Sequence, residues 1–137
     1  NIFDYKGLAK RMLEKPQPRY RRFSGITPSW DNSPRRARNA TIFVDSTPEI
    51  YGNWLRTVVE RTITTFKGDE RVVFVNAWNE WAEGAHLEPD QRWGTAYLEA
   101  TSRALGSLAP SPAAIVDEDR KRSVTVGRQA ADLTGGG

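Results

Sequence analysis

The sequence predicts an α/β fold made of parallel βα units, of the kind that close a (β/α)₈ barrel. Three observations carry that expectation. Apolar patterning alternates between strand and helix along the chain. The two loops richest in chemistry, around Trp30–Asn32 and Asn79–Asp90, both follow strands, where the site of such a barrel is built. The 137 residues hold only two such units, and a whole barrel needs about 250 residues. The expected architecture is therefore the C-terminal βα units of a barrel over residues 1–108, then a linker or disordered tail over 109–137. Asn1 in place of Met reads as a fragment or processed product, with the remainder of the barrel N-terminal to it.

Each element has a local cause. Phe3, Leu8, Met12 and Leu13 recur at helical spacing over residues 3–14, and Pro16 and Pro18 stop that helix. Tyr20 to Thr27 reads as a strand, although Arg19, Arg21 and Arg22 crowd its start. Pro28 to Arg36 is turn-rich and irregular, and Ala40 to Val44 is a short extended piece. Ser46 or Thr47 caps the next helix, with Pro48 in its first turn and Glu49 near its positive end. Its apolar set is Ile50, Trp54, Leu55, Val58, Val59, Ile63 and Phe66. Val72 to Val75 forms a fully apolar, buried strand, and Thr95 to Leu108 a closing helix. The prolines, charged run and terminal glycines beyond Ala109 predict the tail.

Composition narrows the function classes. No cysteine is present, so thiolate metal sites and disulfides are excluded, with a lean toward a cytoplasmic setting. No apolar run approaches the roughly 18 residues of a membrane span. Residues 1–40 carry ten Lys/Arg against Asp4, Glu14 and Asp31, a local +7 that leaves −4 for the rest of a +3 chain. That basic third is read mainly as a solvated face and a positive loop, with no nucleic-acid partner expected. Six missing βα units would leave strand 72–75 with an open edge, so isolated residues 1–137 are expected to unfold without sharp cooperativity.

The chemistry concentrates in two loops. Glu80 and Glu83, if the chain turns helically there, share one face and divide into a proton donor and an ionised base, which glycosidic chemistry requires. Trp78 and Trp81 interleave with them as aromatic faces for pyranose rings. Asn79 is placed to orient a hydroxyl or the neighbouring carboxylate, and His86, the one histidine of the chain, is either a third polar contact or a loop residue. Glu88-Pro89-Asp90 either fixes the loop or binds another hydroxyl, with the structural role favoured for Asp90. In the first loop Trp30, Asp31 and Asn32 pair a stacking platform with polar contacts, and Arg35 and Arg36 add anion binders. The Glu83-x-x-His86 spacing occurs once, with Gly84 inside it, so a di-iron site is rejected and no metal or cofactor is expected.

The run Asn76-Ala77-Trp78-Asn79-Glu80-Trp81-Ala82-Glu83-Gly84, continuing through Leu87-Glu88-Pro89-Asp90 to Tyr97-Leu98-Glu99-Ala100, resembles the WbsX-type glycosyltransferases. These are also described as glycoside hydrolase family 99-like proteins of bacterial polysaccharide and O-antigen loci. Pro28 to Arg36 looks like a second block of the same family, and the match spans roughly residues 20–108. The resemblance implies a (β/α)₈ barrel related to the endo-acting mannosidases of family 99. In those, an Asn-Glu-Trp-x-Glu-Gly stretch supplies a base acting on the sugar 2-hydroxyl and a general acid. By position, Glu80 is the base and Glu83 the acid. The hydrolases commonly carry His between the two glutamates, where this chain has Ala82. The expected function is glycosyl transfer in surface polysaccharide biosynthesis, on an oligo- or polysaccharide and with a sugar nucleotide donor. An endo-acting hydrolase and a non-catalytic sugar-binding domain are the alternatives.

Overall fold

The computed structural model describes residues 1–106. The tail expected over 109–137 lies outside the described residues. The elements are β1 (Ile2–Asp4), α1 (Tyr5–Glu14), β2 (Ser24–Ile26), β3 (Ile42–Val44), α2 (Pro48–Thr65), β4 (Val73–Val75), β5 (Asn79–Glu80), β6 (Ala85–His86) and α3 (Ala96–Gly106). Among the described residues the strands form three two-stranded sheets. β1 pairs with β3 and β2 with β4, both in parallel, and β5 pairs with β6 antiparallel. β2, α2 and β4 thus make a parallel pair joined through a helix, the connection that parallel strands require.

Helix starts follow the caps. Asp4 Oδ2 accepts the Gly7 amide at 2.6 Å and opens α1, so Phe3 belongs to β1 rather than to the helix. The periodicity reading placed it in the helix because it weighed apolar spacing above that cap. Thr47 Oγ1 accepts the Ile50 amide at 3.3 Å, with Pro48 in the first turn of α2 as expected. The buried stripe of α2 is Tyr51, Trp54, Leu55, Val58, Val59 and Thr62, a strict i, i+3, i+4, i+7, i+8, i+11 series. Ile50, Ile63 and Phe66 flank it half-buried. Gly52 lets α3 approach closely, since a Cβ there would sit 3.1 Å from Ala100 Cβ.

Two strand expectations need correction. β2 is confined to Ser24–Ile26, and Tyr20 stands 73% exposed outside it. Phe74, in the strand read as fully buried, is 60% exposed, with Val73 and Val75 half-buried. Parallel strands are ordinarily covered on both faces, so an apolar face of β4 meets solvent in these residues. A preparation of residues 1–137 alone is therefore expected to bind a hydrophobic dye and melt broadly. A sharp two-state calorimetric transition without dye binding would contradict this.

The core is aromatic. Tyr5 and Tyr51 are fully buried and Tyr97 nearly so. Tyr5 donates to the Thr27 carbonyl at 2.6 Å, Tyr51 meets the Thr101 hydroxyl at 3.0 Å, and the Tyr51 and Tyr97 rings lie 5.5 Å apart. Burial, reinforced by repulsion from the neighbouring phenolates, pushes Tyr5 well above the ordinary tyrosine range. Burial also raises Tyr51, against a lowering hydrogen bond with Thr101, and raises Tyr97. In the unfolded chain these phenols ionise near pH 10. Above that pH the unfolded state sheds protons that the folded state retains, so stability falls as pH rises. Each tyrosine adds a slope of at most about 1.4 kcal/mol per pH unit. The Tyr5, Tyr51 and Tyr97 phenols are expected to ionise together with loss of structure, and Tyr51→Phe to reduce the slope by one phenol. Reversible ionisation of these three near pH 10 with the fold retained would contradict this.

Candidate functional site

Backbone geometry stitches the β2 loop to the β4 loop. The Asp31 amide donates to the Glu83 carbonyl at 2.8 Å, and the Ser29 hydroxyl donates to the Gly84 carbonyl. Gly84 permits this crossing. Its φ is +58°, and a Cβ there would sit 3.2 Å from Asp31 N and 3.3 Å from Asp31 Cβ. Asp31 Oδ1 then accepts the Ser33 amide at 2.9 Å, and the Asn32 carbonyl accepts the Arg35 amide at 3.1 Å. These bonds wind Ser33–Arg35 into a 3₁₀ turn that carries Arg35 over the second loop.

Arg35 meets both carboxylates. Its Nη1 lies 3.3 Å from Glu80 Oε1 and 3.5 Å from Glu83 Oε1. The helical turn expected after β4 is instead a 3₁₀ turn, Trp81–Glu83, entered from Glu80 and closed by Gly84 in the left-handed region. Residues i and i+3 eclipse in that geometry, so the two side chains project together. One guanidinium nitrogen thus reaches an oxygen of each carboxylate. Glu83 is the more enclosed, its side chain 24% exposed against 44% for Glu80. Solvent screens these pairs, so they contribute little to stability and act by placing the groups.

The hairpin of β5 and β6 frames the pair. Leu87 and Glu88 amides both donate to the Trp78 carbonyl, at 2.8 and 3.1 Å, and buried Ala85 and Leu87 anchor the return strand. Asn79 pairs in register with His86 and is solvent-exposed. The Trp81 indole stacks on the His86 ring, centroids 3.8 Å apart and 15° from parallel, and donates from Nε1 to Glu88 Oε2 at 2.6 Å. Glu88 therefore fixes the indole. His86 Nε2 lies 3.1 Å from Asp90 Oδ2, and the Trp93 amide donates to Asp90 Oδ1. Burial raises Asp90, but hydrogen bonds from the Trp93 amide, His86 and the Arg92 amide outweigh it, and the carboxyl titrates below the usual range.

The first loop divides between structure and site. Asn32 is 7% exposed and its Oδ1 accepts the Thr41 amide at 2.8 Å, so its side chain closes the loop on itself. Trp30 is half-buried, with its carbonyl accepting the Phe43 amide at 2.8 Å. The structure thus brings together Arg35, Glu80, Glu83, Trp81, His86 and Glu88, with Asp31 and Asn32 as the braces beneath. Sequence reasoning passed over Ser29 and the crossing at Gly84; it favoured a structural role for Asp90, whose carboxylate accepts the Trp93 amide. A glycine placed directly after a candidate catalytic carboxylate was the available signal.

A family model described as glycosyltransferase WbsX matches residues 1–101. Two relatives in Xanthomonas campestris pv. campestris, each described as uncharacterized protein WxcX, are similar. One, from strain B100, is 44% identical over 105 residues, and the other, from strain ATCC 33913, is 43% identical over the same length. Each alignment covers 77% of this chain and 15% of the relative, so the chain spans a small part of the curated relatives it matches. No solved structure matches it. No helix among the described residues is long and apolar enough to cross a membrane. On the strength of the family match across its first 101 residues, the chain belongs to the WbsX glycosyltransferase family.

Proposed function

We propose that this chain supplies the paired-carboxylate part of a glycosyl-transfer site acting in bacterial surface polysaccharide (O-antigen) biosynthesis, on the closing βα units of a (β/α)₈ barrel. The observation that carries the reading is the Arg35 guanidinium held between Glu80 and Glu83 above the end of a parallel strand pair. Two carboxylates that hold a cation between them also stabilise the positive charge of an oxocarbenium-like transition state. Glu80 acts as the base toward the sugar and Glu83, the more enclosed, as the acid toward the leaving group. Arg36 and Arg38 are exposed and make no ion pair among the described residues, which supports a phosphorylated sugar donor met at this loop, in a cytoplasmic setting.

A second reading, an endo-acting hydrolase, is favoured by the closeness of the pair, because a hydrolase needs both groups at one bond. One experiment separates them. The intact protein and its Glu83→Gln variant are offered sugar nucleotides with acceptor glycans, and separately surface polysaccharide. Glu83-dependent nucleotide release with product extension supports transfer, and Glu83-dependent new reducing ends identify a hydrolase. Sugar binding with neither signal leaves a non-catalytic binding domain.

A further inference from the structure

Beside the carboxylate pair, and separate from it, the second loop borders a cleft of about 620 Å³. Its walls include Trp81, His86, Trp93, Tyr97, Ser46 and Arg92, and neither Glu80 nor Glu83 lines it. Trp81 is shared by the two places, since it stands between the glutamates in sequence and walls the cleft in space. We propose that this cleft binds a second, neutral pyranose of the glycan whose reacting bond lies at Glu80 and Glu83. The proposal rests on the paired-carboxylate reading above and names what the neighbouring space accepts.

Three observations support a sugar ring here. The volume falls in the range of small-ligand sites, and the walls combine indole and phenol surfaces with a few convergent polar groups. These groups are fixed in advance. Asp90 holds His86 through Nε2, Glu88 holds Trp81 through Nε1, and Asp90 Oδ1 fixes the backbone that carries Trp93. His86 Nδ1 is a buried polar atom with no hydrogen-bond partner among the described residues. That atom is closed to a ligand, so His86 presents its ring in the wall, held there by Asp90 and by stacking on Trp81.

Charge selects a neutral ring. Asp90 contributes a carboxylate that its hydrogen bonds keep ionised, and Glu88 adds another close by. Among the described residues the one cation lining the cleft is Arg92, which lies over the Trp93 ring at 4.9 Å from its centroid. An acidic sugar would place its carboxylate against Asp90, whereas hydroxyls can donate to it.

The test uses the intact protein with labelled indole nitrogens, titrated with the methyl α-pyranosides of glucose, mannose and galactose and with methyl glucuronoside. At least one neutral pyranoside is expected to shift the Trp81 and Trp93 indole signals saturably. His86→Gln and Arg92→Ala should each weaken that binding by about 5-fold, the loss of roughly one hydrogen bond or ring contact. Arg92 is exposed, so its variant keeps the fold even if the His86 variant does not. Absence of shifts for every neutral pyranoside, undiminished binding in Arg92→Ala, or tighter binding of the glucuronoside would overturn the proposal. Glu83→Gln separates the two readings. Normal turnover in that variant with the pyranoside titration intact removes the catalytic reading and keeps the sugar cleft. Lost turnover without pyranoside binding does the reverse.

Discussion

On a substrate whose leaving group is a sugar hydroxyl, Glu83→Gln in the intact protein is expected to lower turnover by about 10²–10⁴-fold, the range that a general acid contributes. The loss should depend on the leaving group. A substrate that departs without protonation, such as a glycosyl fluoride, should recover most of the rate, because the acid's work is then unnecessary. Glu80→Gln should show no such recovery, since its role lies with the attacking side. The prediction draws on unequal surroundings: Glu83 is enclosed by the Asp31–Glu83 backbone bond and the left-handed Gly84, while Glu80 opens toward solvent. Leaving-group rescue in Glu80→Gln and none in Glu83→Gln would exchange the two roles. Equal and unrescued losses would assign the pair to binding.

Much of this site was legible because chemistry and chain order coincide there. Glu80, Trp81, Glu83, His86 and Glu88 sit within nine residues, and any compact path brings them near one another. Arg35 was legible as an anion binder, but its anion was not. Nothing in its local sequence says that Asp31 and Asn32 wind a turn which lands the guanidinium on the carboxylates of another loop. That relation is a product of pairing across more than forty residues. Asn32 shows the opposite error, where a polar residue beside an aromatic reads as a sugar contact although its amide is spent on the Thr41 backbone.

Among the helices, α2 was readable to within one residue at its start, because Ser46 or Thr47, Pro48 and Glu49 are local signals and the structure selects Thr47 as the cap. Which face it buries was readable only in part. Tyr51 and Thr62 carry polar atoms that count against burial in a periodicity search, yet each finds a hydrogen-bond partner inside, Thr101 and the Val58 carbonyl. The short strands fared worse. Three-residue strands such as β1 and β3 lie below the length at which alternation is measurable, and their pairing with each other is a tertiary fact.

Gly84→Ala is the substitution expected to uncouple the site from the fold with the least chemistry. Its cost has two separable parts. A left-handed backbone without glycine costs about 1–2 kcal/mol wherever it occurs. The added Cβ also meets Asp31 at 3.2 and 3.3 Å, and Asp31 cannot retreat without lengthening its bond to the Glu83 carbonyl. Gly68, with φ of +53° and nothing within 4 Å of its missing Cβ, carries only the first cost. Gly68→Ala should therefore lower the thermal midpoint by a few degrees and leave turnover intact. Gly84→Ala should lower the midpoint further and cut kcat/KM by about 10²-fold, because opening the loop crossing withdraws Arg35 from between the carboxylates and a small misplacement is costly in rate. If the two variants lost stability equally and neither lost turnover, the crossing at Gly84 would be packing alone. The stitched loops would then be incidental to the chemistry. A loss confined to Gly84→Ala, and accompanied by a changed pH–rate profile, would instead tie the Arg35 clamp to the working state of the pair.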